Sequence, residues 1–115
     1  MNDLERALPR DLVERGNLCG NEFVFPFDAA FRVIGFATKH QIAILGLEAF
    51  EVQKDGLLTV DLADASRYVS FTGDWNAYVV AMNAEAARWI EEHRLGEKHG
   101  YILSSASENE FASLK

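Results

Sequence analysis

Residues 41–62 read QIAILGLEAFEVQKDGLLTVDL, and the alternation within them decides the fold. A loop of Asp55 and Gly56 sets Phe50 against Asp61 and Val52 against Thr59, mixing apolar and polar side chains on each face. A loop of Lys54, Asp55 and Gly56, with Gly56 left-handed in a bulged turn, sets Phe50 against Val60, Val52 against Leu58 and Glu51 against Thr59. A one-residue slip reverses every side chain, so the pattern predicts the three-residue loop. Phe50, Val52, Leu58 and Val60 then face the core, while Glu51, Thr59 and Asp61 face solvent. Upstream, Ile42 to Leu47 is apolar on both faces, the mark of a strand in the middle of a sheet. Gly46 marks a bulge or a close backbone approach.

Helices flank this hairpin. Residues 72–94, TGDWNAYVVAMNAEAARWIEEHR, place Trp75, Tyr78, Met82, Ala86 and Trp89 on one stripe, capped by Asp74 or Thr72 and ending near Gly96. Asp28 is the expected N-cap of a helix running to about His40. Its stripe is Phe27, Phe31 and Ile34, widened by Ala30, Val33 and Ala37, with Gly35 suited to a close neighbour. Pro9 and Gly16 bracket a short helix whose buried side is Leu8, Leu12 and Val13. Gly16–Glu22 reads as a loop, and Phe23–Phe27 as extended chain ahead of and through Pro26. Tyr68–Phe71 and Tyr101–Ser104 are further strand candidates. The sum is an α+β fold: a small, mostly antiparallel sheet built around a β-hairpin, with helices packed on it.

The chain has 115 residues, a single-domain length, read as one domain over 1–115. Residues 1–8 stand open between an extension of the first helix and a frayed end. Residues 105–115 stand open between one turn boxed by Ser107 and Glu110, with Phe111 as its anchor, and a disordered tail. Eighteen acidic residues against eleven basic ones give a net charge of −7. That balance argues against nucleic acid and anionic membranes as partners and suits a basic protein. A single cysteine, Cys19, excludes an intramolecular disulfide, and no apolar run is long enough to span a bilayer. The expectation is a cytoplasmic protein.

No catalytic signature is present. His40, His93 and His99 lack metal-ligand spacing, so no metal and no cofactor are expected. Cys19 has no basic cluster beside it, and no glycine-rich phosphate loop or G-x-S-x-G occurs. The tryptophan stripe has the spacing of a core face; Trp75, in the first turn, is the member placed to reach the surface and anchor a partner. Glu48 falls on the Phe50 face opposite Leu62. An inward carboxylate needs a partner or water, so Glu48 is either a pocket acid, one half of an ion pair with Arg32, Arg67 or Arg88, or a group at a wet rim. Glu51, Asp55, Asp61 and Asp64 crowd the exposed side or tip of the hairpin, with Lys54 to offset them. Like charges so placed mildly destabilise a sheet, which weighs a binding role against a merely solvated face.

Ile42, Ile44, Leu45, Gly46 and Glu48, then Trp75, Tyr78 and Val79, then Ala86, Ala87, Trp89 and Ile90 together resemble a family of small immunity proteins found beside bacterial polymorphic toxins. In that pattern an I-x-I-L-G strand with a following acid leads through a hairpin to a W-x-x-Y-V helix. The similarity spans about residues 29–103, with Leu47 standing where the pattern has a second glycine. The resemblance implies a non-enzymatic protein that neutralises a cognate toxin by binding it. Glu51, Asp55, Asp61, Asp64 and Trp75 are the candidate contact residues. Two alternatives remain open: a small ligand-binding domain or enzyme with a pocket between sheet and long helix and Glu48 as its acid, and a structural homodimer.

Overall fold

A computed structural model describes residues 2–19, 22–54, 56–64, 70–92 and 99–114. The described elements run α1 (Asp3–Ala7), α2 (Arg10–Arg15), β1 (Asn17–Cys19), β2 (Glu22–Val24), α3 (Phe27–Lys39), β3 (Ala43–Gln53), β4 (Gly56–Asp64), α4 (Trp75–Glu92), β5 (His99–Ala106) and α5 (Glu108–Ser113). The main sheet has the antiparallel order β4-β3-β5, and β1 pairs with β2 in a small hairpin of its own. The fold is α+β, with helices on a sheet centred on the β3–β4 hairpin. β3 is the central strand, as its two-sided apolar start requires: Ile42, Ala43, Ile44 and Leu47 are buried.

The register of the hairpin differs from expectation at its outer end. Gln53 stands opposite Gly56, Val52 opposite Leu57, Glu51 opposite Leu58 and Phe50 opposite Thr59. A shift between Ala49 and Phe50 then returns the strands to the expected pairing, with Ala49 opposite Asp61 and Glu48 opposite Leu62. The extra residue sits in a bulge at Val60 instead of in the turn. Both arrangements leave the base of the hairpin identical, so the alternation could not choose between them. Gly56, at φ 142°, permits the tighter closure, and Val60 is turned outward and 44% exposed instead of facing the core. A second shift, between Ile44 and Gly46, puts a bulge where Gly46 suggested one.

Other boundaries moved for local reasons. Asp28 does not cap α3; Pro26 occupies the N-cap, and Asp28 lies in the first turn, bonded to Arg15 at 2.6 Å. That guanidinium holds the Asp28 carboxyl below its ordinary range. The predicted loop over 16–22 contains β1, which β2 pairs in register. Residues 70 and 71 are not strand, and the rest of the Tyr68–Phe71 candidate lies outside the described residues. Phe31 is 44% exposed, and nothing crowds Gly35, so α3 buries a narrower stripe of Ala29, Ala30, Val33, Ile34 and Ala37. In α4 Ile90 is fully buried and Trp89 only half-buried, which rotates the stripe one residue at its C-terminal end.

The end of α3 is a Schellman turn: the Ile42 N–H bonds the Ala37 carbonyl at 2.9 Å and the Gln41 N–H bonds Thr38 O at 3.2 Å. Gln41 takes the left-handed position, φ 61°, that glycine usually fills. The chain ends are knitted together. Ser107 and Glu110 form the capping box of α5, Glu110 also accepts the Asp3 N–H at 3.1 Å, and the Ser107 hydroxyl donates to Asp3. Phe111 packs on Trp75, Tyr78 and Phe71, so the tail is the anchored turn of the two readings.

Gly100 shows how closely β2 approaches β5. A Cβ there would lie 2.3 Å from Val24 Cγ1. Gly100→Ala is therefore expected to cost about 2 kcal/mol by overpacking. In a denaturation cycle with Val24→Ala, the double variant should lose at least about 1 kcal/mol less than the sum of the singles. Strict additivity would mean that Val24 does not impose the glycine.

Candidate functional site

The acidic end of the hairpin is built by β-strand parity. Side chains alternate faces along β3, so Leu47, Ala49 and Glu51 share one side, and Glu48 and Phe50 share the other. Asp61 is opposite Ala49, one step along the face from Glu51. The structure thus brings Glu51 and Asp61 together, the former half-buried and the latter exposed. Lys54 is exposed at the turn beside them. β4 is an edge strand, paired among the described residues with β3.

The other acidic candidates separate. Asp64 pairs opposite Gly46, five positions down β3 from Glu51, which is about 17 Å along a strand and at the base of the hairpin, not its tip. Asp55 lies outside the described residues. Trp75 does not reach the surface as an anchor: it is 8% exposed, its indole N–H donates to the Gln41 carbonyl at 2.7 Å, and its ring meets Phe71, Tyr78 and Phe111. The first-turn position suggested exposure, but the Schellman turn presents Gln41 to the indole and draws it inward.

One neighbour was not singled out from sequence. His99 lies directly across from Glu51 on β5, with its Nδ1 buried and, among the described residues, lacking a hydrogen-bond partner. Parity relative to Tyr101 was the available signal, but it is readable only once the β3–β5 register is known.

Glu48 stands between Leu62 on β4 and Ile102 on β5, half-buried on the Phe50 face. Two of its proposed ion-pair partners are engaged elsewhere. Arg32 pairs with Asp11 at 3.2 Å, and Arg88 with Glu85 and Glu92; Arg67 lies outside the described residues. The space beneath α4 is filled: Val79 and Met82 are fully buried against Ala43, Trp75 and Tyr78. Two cavities occur elsewhere. One of about 200 Å³ lies among α1, β2, α3 and β5, and one of about 330 Å³ is a groove between α3 and α4. Neither has Glu48 in its wall. Among the described residues no three His, Cys, Asp or Glu side chains are grouped to hold a metal, and no helix is long and apolar enough to cross a membrane.

Asn83 is the buried polar residue that looks most like a site and is not one. Its Oδ1 accepts the Ile44 N–H at 2.8 Å, and its Nδ2 donates to the Ile42 carbonyl and Thr38 Oγ1, each at 2.9 Å. Among the described residues β4 reaches only as far as Gly46, and beyond it the Asn83 amide supplies the bonds of a neighbouring strand to Ile42 and Ile44. Its bonds are all used in holding the fold. Compared with known proteins, the chain matches no family model, no curated protein and no solved structure.

Proposed function

We propose that this chain is a toxin-neutralising immunity protein of the bacterial polymorphic-toxin type, acting in the cytoplasm by binding a basic partner and not by catalysis. The observation that carries the reading is the placement of Glu51 and Asp61 on one face of the hairpin, in a chain of net charge −7. Two carboxylates on adjacent rows of one face present a negative field that a cationic partner would complement. The resemblance across residues 29–103 supports the same reading, as does the filled space under α4. Within the face, Glu51 and Asp61 steer the encounter, and the exposed Val60 beside them supplies apolar contact.

Steering makes a kinetic prediction. Association with the toxin encoded in the neighbouring reading frame should slow about tenfold or more in the Glu51→Lys, Asp61→Lys double variant, and should slow with added salt in the native protein. Glu91→Lys with Glu108→Lys is the control, since both are exposed, distant in sequence and change net charge equally. Glu110 is unsuited to this because it caps two helices. Stopped-flow binding and rescue of toxin-expressing cells report the outcome. Unchanged rates in the hairpin variant, or equal slowing in the control, would remove the hairpin face from the mechanism.

A further inference from the structure

The outer edge of β5 offers main-chain hydrogen bonds that the described residues do not use. Phe25 and Tyr101 exchange two backbone bonds, of 2.9 and 2.8 Å, so Tyr101 directs its N–H and C=O away from β3. Antiparallel pairing alternates, and Leu103, two residues on, must turn its N–H and C=O the same way. No described residue bonds them. Instead β2 leaves β5 after this single bridge to pair with β1, and a cavity of about 200 Å³ opens beside Leu103. Leu4, Leu8, Phe23 and Phe25 form its apolar wall, and Glu5 also lines it. Its size suits one bulky side chain and falls short of the roughly 300–1,000 Å³ of small-ligand sites.

We propose that this edge docks an extended, basic segment of a partner chain, which pairs its backbone with Leu103 and places one apolar side chain in the cavity. Strand addition fits here better than at β4. There the bulge at Val60 and the exposed Asp61 both discourage an added strand, whereas Leu103, Ser104 and Ser105 carry no charge. The basic character follows from Glu5. Glu5 is half-buried and lines the cavity with no ion pair among the described residues, in a chain of net charge −7. A second copy of this acidic chain is correspondingly disfavoured as the occupant.

The test is independent of the hairpin reading. A random octapeptide library displayed on phage is selected against the full-length protein, and the enriched peptide is titrated by amide NMR. Enrichment of alternating apolar and basic residues is expected, with shifts centred on Leu103 and Ser105 and slowed exchange of the Leu103 amide. Glu5→Lys and the gentler Glu5→Gln should each weaken binding, the reversal by about tenfold. Glu91→Lys with Glu108→Lys should weaken it far less than the Glu5 reversal, despite the larger change in net charge. No enrichment, shifts mapping elsewhere, an unprotected Leu103 amide, or equal binding of an acidic peptide would each overturn the proposal.

Discussion

Replacing Asn83 by leucine is expected to lower stability by about 3–5 kcal/mol, because two backbone groups lose their only buried partner at once. Leucine fills nearly the same space, so the loss would come from the stranded Ile44 N–H and Ile42 carbonyl, each worth about 1–3 kcal/mol when left unpaired. Thr38→Val, which removes one bond of the three, should cost only about 1 kcal/mol. Asn83→Asp separates the two halves of the amide. It keeps an acceptor for Ile44 but turns a carboxylate toward the Ile42 carbonyl. Burial raises the folded-state pKa of such a group above its unfolded value of about 3.9, so its penalty is smallest below that pH and grows as pH rises. Urea unfolding of the three variants at two pH values measures this. A loss under about 1 kcal/mol for Asn83→Leu would show that the β3 edge closes without the amide.

Phe50→Ala is expected to cost about 3 kcal/mol, the lower end for a buried phenylalanine, since its cluster with Val24 and Ile102 is small and able to collapse. Val60→Ala and Glu51→Ala should each cost no more than about 0.5 kcal/mol. The contrast between Phe50 and Val60 decides the register of the hairpin. With the bulge at Val60, only Phe50 is structural. With the three-residue turn, the two would face each other across the strands and both would matter. A comparable loss from both substitutions in chemical denaturation would restore the longer turn.

By itself the sequence determined the central strand, the hairpin, the capping of the long helix, and the acid on either side of the sheet. These are properties of parity and periodicity: Ile42 to Leu47 has no polar face to offer water, Asp74 accepts the Ala77 N–H, and Glu51 and Asp61 fall on one side with the three-residue turn and with the bulged strand alike.

Tertiary structure decided what depends on partners distant in sequence. The choice between a longer turn and a bulge is neutral to alternation, and Gly56 admitted the tighter closure that turns Val60 outward. Trp75 went inward because the end of α3 presents the Gln41 carbonyl to it. Asn83 acquired its role from the early end of β4, and His99 came beside Glu51 through the β5 register. The free edge of Leu103 exists only because β2 peels away after one bridge. Each outcome turns on a hydrogen-bonding group whose partner lies dozens of residues away, and local periodicity carries no information about such partners.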